Sequence, residues 1–435
     1  MRDADPIVIV GMGIEAPGGI ETPRDYWTAL AAGKELIGPF PRDRGWPVDE
    51  IFALGRLDGW GLVRDAGGFL SDATAFDASF FGITPREAVA MDPQQRVALR
   101  VAFRALEQAG LNPGALDGDS AGVWMGVSTT EYGPGVAGVN EYSGYRATGT
   151  ALGAVAGRIS HGLGLIGPSV SVDTACASSL TAVHQAASAL RAGECEWALA
   201  GGVCVMGSPG AFYEFAKANA LATDGHCRPY AADPTGTLWG EGAGVVVLER
   251  ASRARALGHR IYGELLGSRV NHNGAGAALA VPSAAAQERL ICDTVAAAEI
   301  SFADVDLVEG HGTGTAVGDP LELAAIATTY GSVDRASGPL LGSVKSNVGH
   351  AQAASGMLGL IKVLLCGEHE AIAPSLWAES PTSEIDWSTT SLRLASSLVA
   401  WPSDRPRYAA VSSFGVAGTN AHAIIGLPAQ EENRG

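Results

Sequence analysis

The sequence predicts an α/β protein built from parallel crossover units, and three observations carry that reading. Around residues 170–206 a β-branched run, a helical repeat and a second apolar run follow one another, the strand, helix, strand order of a crossover. The same alternation recurs in the second half of the chain. No linker, charge block or low-complexity stretch divides the 435 residues, so the pattern admits a duplicated α/β core, although no repeat is visible in the sequence itself.

Taken in order, Pro6 to Val10 reads as a buried strand. Gly11, Gly13 and Ala16 behind it match a G-x-G-x-x-A dinucleotide pattern. Pro17-Gly18-Gly19 then break the helix that a phosphate-binding turn must enter, so no nicotinamide or flavin site is expected. Trp27 and the alanine-rich residues after it form a first helix, and the Pro- and Gly-punctuated region to about Gly68 reads as mostly loop. Asp92-Pro93 is a helix start, with an acceptor at the N-cap and proline at the first helical position; its helix carries Val97, Val101 and Leu106 and stops near Gly110. Val123 to Val127 is a short strand and Thr148 to Leu163 a helical stretch.

Ser171 to Leu180 (SVDTACASSL) follows, a strand turning into a helix in which Leu180, Val183, Ala187 and Leu190 recur at helical spacing. Gly193 is its C-cap and Trp197 to Met206 the next strand. Gly240 to Arg250 becomes a core strand, and a helix covers roughly Ala284 to Ala298. Asp306 to Glu309 leads into Gly310-His311-Gly312. Asp319-Pro320-Leu321-Glu322 has the form of a capped helix start, with Glu322 placed to complete a capping box. Met357 to Leu365 is apolar on all sides and predicts a central buried helix. Tyr408 to Phe414 and Ala421 to Ile425 read as strands joined by Gly415-Val416-Ala417-Gly418.

Composition excludes several function classes. The apolar fraction is 47%, charged residues are 17%, and the formal charge is −17, which disfavours nucleic acid because phosphate binding needs a basic footprint. An acidic partner would have to dock on a local basic patch, for which Arg250, Arg253, Arg255 and Arg260 are candidates. Six cysteines stand without paired CxxC spacing, so neither a disulfide framework nor a metal site is signalled, and a reducing cytoplasm fits. The opening MRDADPIVIVG puts acidic residues before a short apolar run, unlike a secretory leader, and no apolar stretch approaches membrane-spanning length, so a soluble intracellular protein is expected.

The chemistry centres on Cys176. A thiol at a strand-to-helix turn meets the free N–H groups and positive dipole end of the helix, which favour the nucleophilic thiolate; the alternative is a buried structural cysteine. Three Gly- and Ser-flanked elements in the second half add His311, Lys345 with His350, and the loop at 413–422. Together these offer a nucleophile, two neutral donors or bases, a cation and a loop of free N–H groups, a set that suits acyl transfer.

In combination the strings DTACASSL, GHGTGT with GDPLE, KSNVGH and SSFGVAGTNAH, with the weaker VGMGIEAPGG, PFPRDRGW and MDPQQR, are specific. With them the chain resembles the β-ketoacyl-acyl carrier protein synthases, the ketosynthases of modular type I polyketide systems. The resemblance implies a thiolase-like fold of two α/β halves, residues 1–255 and 256–435, in a five-layered α-β-α-β-α arrangement, and a homodimer. It implies an acyltransferase of the cytoplasm that needs no free cofactor, its substrates riding on the phosphopantetheine of an acyl carrier protein. Cys176 would take the acyl chain, with the N–H groups of Cys176 and Val416 as oxyanion hole. His311 and His350 would hydrogen-bond a malonyl-type thioester as it loses CO2, and the enolate would attack the acyl group. Lys345 would pair with Glu322 and orient the histidines. Thr313 and Thr315 would line the pantetheine tunnel and Phe414 the acyl side, while Asp319 would be a helix cap and His422 structural.

Measured against the family pattern, Gly310 stands where alanine is usual, Ala177 where serine is, and Val416 and Ala417 where a gating aromatic and a glycine are. Such changes imply an altered acyl pocket. The initiator Met and charged tail suggest a discrete, stand-alone member. A discrete member could also cyclise or release its acyl chain without an extender. A non-catalytic subunit that only shapes chain length is a more remote alternative, disfavoured by retention of Cys176, His311 and His350.

Overall fold

The computed structural model describes residues 5–129, 131–133, 139–140, 142–276, 278–334, 338–401 and 404–428. In chain order the strands are β1 Ile7–Glu15, β2 Ala121–Gly126, β3 Ser169–Val172, β4 Trp197–Cys204, β5 Gly242–Arg250, β6 Gly263–His272, β7 Val305–Glu309 and β8 Leu340–Gly342. They continue with β9 Ala371–Ile372, β10 Arg393–Leu394, β11 Val399–Ala400, β12 Arg407–Phe414 and β13 Thr419–Leu427. Apart from a small β9–β11 ribbon they run as β10-β8-β7-β12-β13-β6-β1-β5-β4-β2-β3. The two halves of this order meet only where β1 and β6 pair, at Val8 with Glu264 and Ile9 with Gly263.

Strands buried on both faces explain the layering. Along β1, Ile7 and Ile9 enter one hydrophobic core while Val8 and Val10 enter another; β5 divides likewise, Val246 and Leu248 from Val245 and Val247. A period of two thus sends successive apolar side chains to opposite cores. The helices Pro93–Gln108 and Ala154–Leu163 cover the outer face of the first half, and Ala284–Ala297 with Gly318–Thr328 that of the second. Ser178–Ala192 and Ser355–Glu368 pack between the halves and against each other. This is the five-layered thiolase-like arrangement. The Ser355–Glu368 helix is buried at every residue but the last, as its all-round apolarity predicts. It carries Lys362, whose ammonium is neutralised by Glu309 at 2.7 Å.

Several local expectations need correction. The strand over Pro6 to Val10 continues to Glu15, because Gly11 and Gly13 serve helix packing: a β-carbon on Gly13 would lie 2.4 Å from the Val101 carbonyl oxygen. The region to Gly68 is mostly loop, as read, with one short helix at Val48–Ala53. Thr148 to Leu163 is two helices, Arg146–Thr150 and Ala154–Leu163. Of the arginine cluster, Arg250 bonds the Leu190 carbonyl at 2.8 Å, Arg253 pairs with Glu249 and the exposed Arg260 with Glu368 at 3.0 Å, while Arg255 also stays exposed. Among the described residues no helix is long and apolar enough to cross a membrane.

Candidate active site

β3 ends at Val172 and the chain turns sharply before the Ser178–Ala192 helix. Ala175 adopts φ 52°, a left-handed conformation costly for a residue with a β-carbon. Hydrogen bonds hold it there: Ala175 N–H donates to Asp173 Oδ1 at 2.9 Å, Thr174 N–H to Ser178 Oγ at 2.8 Å, and Ser178 Oγ–H to the Ala175 carbonyl at 2.6 Å. From β12, Ser413 Oγ–H donates to the Cys176 carbonyl at 2.6 Å. The loop after β12 reaches this elbow because residue 415 is glycine; a β-carbon there would stand 2.3 Å from the Thr174 carbonyl oxygen.

The sulfur of Cys176 and one ring nitrogen each of His311 and His350 lie within 4.8 Å of one another. His311 follows β7, and its backbone N–H donates to Glu322 Oε1 at 2.6 Å. His350 is pinned between neighbours, donating its N–H to the Leu238 carbonyl at 2.7 Å and accepting from Gly240 N–H at 2.9 Å. Its ring also faces Trp239, with centroids 5.1 Å apart.

Surrounding donors set both imidazoles. Nδ1 of His350 accepts the Gln352 N–H at 3.0 Å and faces Ser355 Oγ at 3.0 Å, so its proton sits on Nε2. Nδ1 of His311 faces the Lys345 ammonium at 3.4 Å, which leaves Nε2 as the N–H donor there too. Burial, reinforced by the Lys345 charge, holds both histidines well below the usual imidazole range. They are therefore neutral donors at physiological pH. The Cys-His-His group has the elements of a metal site, but Nδ1 of His350 is already engaged by the Gln352 N–H and Ser355.

Burial also pushes the Cys176 thiol up to about 11, against the opposing pull of Lys345 and of the Val416 and Cys176 N–H groups. Desolvation thus opposes the turn, whose N–H groups favour the thiolate as the sequence suggests. The Val416 and Cys176 N–H groups do converge on the sulfur.

Lys345 and Glu322 are buried near each other, yet no direct ion pair joins them among the described residues. The Lys345 ammonium instead donates to the His311 carbonyl, while Glu322 accepts from His311 N–H, Gly312 N–H and the Tyr230 hydroxyl. Their charges act through space, Glu322 opposing the downward push of burial on Lys345. Glu322 therefore completes no capping box. Asp319 does not cap its helix either: Val317 occupies the N-cap, and the Asp319 carboxylate gathers the N–H groups of Tyr230, Thr313 and Gly314 at 2.9–3.1 Å.

A cavity of 570 Å³ opens onto Cys176, His311 and His350. Thr313, Thr315, Phe414 and Val416 line it, with the two threonine hydroxyls 2.9 Å apart and the Phe414 ring 5.5 Å from that of His311. His422 lies elsewhere, bonded to Tyr330 and Ser412 at 2.8 and 2.9 Å. In the cavity wall, Thr237 Oγ1 and Gln287 Oε1 are buried with no hydrogen-bond partner among the described residues. Neither stands out in the sequence, nor does Tyr230, whose partners Asp319 and Glu322 are 89 and 92 positions away.

The chain matches the family described as "Beta-ketoacyl synthase, N-terminal domain" over residues 4–254 and "Beta-ketoacyl synthase, C-terminal domain" over 262–379. The phenolphthiocerol synthesis polyketide synthase type I Pks15/1 of Mycobacterium bovis is 47% identical over 98% of this chain, which spans 20% of that relative. Erythronolide synthase EryA2 of Saccharopolyspora erythraea is 47% identical over 99% of the chain and 12% of its own length. Among solved structures, the oxazolomycin ketosynthase domain OzmH KS7 of Streptomyces albus superposes with a TM-score of 0.90 at 37% identity, covering 98% of this chain and 74% of that one. The module 6 ketosynthase of bacillaene synthase from Bacillus subtilis gives 0.88 at 36%, covering 98% and 72%.

Proposed function

From the premise that this chain belongs to the β-ketoacyl synthase family, we propose that it extends a carrier-bound acyl chain by decarboxylative Claisen condensation. The observation that carries the reading is the convergence of Cys176 with two neutral imidazole N–H donors at one cavity. In the first half-reaction the Cys176 sulfur attacks an acyl thioester, the N–H groups of Cys176 and Val416 hold the oxyanion, and the pantetheine thiolate leaves with the thiol proton. Each such donor contributes about 3 kcal/mol to the transition state. In the second, a malonyl thioester loses CO2; the electrons of the broken C–C bond form an enolate whose oxygen takes hydrogen bonds from His311 and His350. The enolate carbon attacks the acyl carbonyl, and Cys176 departs as thiolate and takes up a proton.

Lys345 acts in this scheme by keeping His311 unprotonated and its loop in place, with Glu322 as the opposing charge and anchor. Thr313 and Thr315 contact the pantetheine arm and Phe414 borders the acyl chain. A bound substrate also offers partners to Thr237 and Gln287. The cofactor-free chemistry draws its thioesters from an acyl carrier protein, and we divide the enzyme at residue 255 into a half that carries the nucleophile and a half that carries the histidines. A cytoplasmic location belongs to the same reading, supported by six free cysteines. The test is product mass: with a malonyl extender the acyl chain gains two carbons, and without it no product leaves.

A homodimer is the second part of the proposal. β3 ends the sheet order with Val170 37% exposed, and Ile166 just before it is 71% exposed. An open edge flanked by apolar side chains is a template for a second copy. Sedimentation is expected to give twice the chain mass, and Ile166→Asp to shift it toward the monomer; a wild-type monomer at micromolar concentration contradicts this.

A further inference from the structure

Tyr230 is a buried group beside His311 to which the chemistry above gives no task. Its backbone stands at φ 59°, a left-handed strain that residues with a β-carbon keep when the surroundings impose it. Two hydrogen bonds impose it: Tyr230 N–H donates to Asp319 Oδ2 at 2.9 Å, and the Tyr230 carbonyl accepts the Thr382 N–H at 2.9 Å. The ring is thereby aimed at Glu322, whose Oε2 accepts the Tyr230 hydroxyl at 2.9 Å and the Gly312 N–H at 2.8 Å. The other oxygen, Oε1, accepts the His311 N–H at 2.6 Å. That hydroxyl also lies 2.0 Å from where a β-carbon on residue 310 would stand.

We propose that Tyr230 is a positioning residue for His311, and that residue 310 is glycine because the tyrosine hydroxyl fills the space an alanine methyl would need. The hydroxyl fixes the carboxylate, the carboxylate fixes the peptide N–H groups on both sides of the His311 carbonyl, and the imidazole inherits that placement. Alanine at 310 would drive the ring away and take Glu322 with it. Phenylalanine at 230 removes the overlapping oxygen, leaving Cζ at 3.1 Å from the added methyl, a contact that a small shift relieves. The pair is thus complementary: each residue fits the other.

A charge consequence follows. Burial raises the Glu322 carboxyl to about 7, Asp319 adds to the rise, and the Gly312, His311 and Tyr230 donors oppose it. Lys345 faces Glu322 with its positive charge, and Glu309 is a further charged neighbour of both Tyr230 and Lys345. Loss of the Tyr230 donor destabilises the ionised carboxylate, so its protonation moves to higher pH.

The inference rests on the ketosynthase reading, and the experiment separates the two by measuring acyl loading and CO2 release from malonyl-carrier protein independently. Tyr230→Phe is expected to load acyl groups at the wild-type rate, while the acid limb of its decarboxylation profile moves up by about one pH unit. Gly310→Ala is expected to cut CO2 release about 100-fold, the scale of an ångström of misplacement, again with loading retained. Tyr230→Phe/Gly310→Ala together should recover most of that loss. An unshifted pH profile in Tyr230→Phe, equal losses of loading and decarboxylation, or a double variant no better than Gly310→Ala would each overturn the inference. A wild-type protein that never decarboxylates malonyl carrier overturns the reading beneath it.

Discussion

Cys176→Ala is expected to take up no acyl group from an acyl-carrier thioester, seen as the absence of the acyl mass shift on the intact protein. The reasoning is geometric. Cys176 is the one cysteine that lies on the strained Ala175 elbow, opens to the cavity and has the N–H groups of residues 176 and 416 directed at its sulfur. Cys204 also borders the cavity, but it is deeply buried and its thiol is held well above the ordinary range by desolvation and the neighbouring Glu241. Loss of the nucleophile should lower loading by more than about a thousandfold. Alanine is small and the elbow is held by backbone and by Ser178 and Ser413 rather than by the sulfur, so the variant should melt near the wild type. Loading that persists in this variant would remove Cys176 from the mechanism.

His311→Ala is expected to split the two half-reactions. Its imidazole contributes an N–H donor needed only once an enolate forms, so acyl loading should survive while CO2 release falls about 100- to 1,000-fold, the scale of a lost oxyanion donor. The substitution keeps the His311 backbone N–H bonded to Glu322 and the carbonyl bonded to Lys345, and so leaves the loop anchored. Equal loss of both activities would mean that His311 serves loading as well, and that the division of labour drawn above is wrong.

Much of this arrangement is legible in the sequence because local rules and global fold agree. The Asp92-Pro93 start, the Gly193 C-cap and the all-apolar helix around Met357 can each be read from a few neighbouring residues, and the structure has helix Pro93–Gln108, a left-handed Gly193 and helix Ser355–Glu368 there. Cys176 could be marked as a candidate by its place at a strand-to-helix turn, and His311 and His350 because each sits in a short polar, glycine-bearing string. What the sequence hides is the outcome of competition in three dimensions. A helix N-terminus favours a thiolate, and only the depth of the site shows that burial opposes it. The family resemblance pairs Lys345 with Glu322, but in the structure the His311 carbonyl accepts from Lys345 and the His311 N–H donates to Glu322. Gly11 and Gly13 mimic a phosphate loop because close helix packing demands the same residue. Tyr230 is invisible for the same reason: its partners Glu322, Asp319 and Gly310 are 80 to 92 positions away.

A single-turnover reaction tests the central claim most directly: the acyl-loaded protein is mixed with malonyl-carrier protein labelled with heavy carbon at the free carboxyl, and gas and product are weighed together. The account predicts labelled CO2 in step with a 3-oxoacyl thioester two carbons longer than the loaded chain, the label absent from the product. Release of the loaded chain as a ring or free acid, at the same rate with or without malonyl carrier and with no labelled CO2, would contradict it.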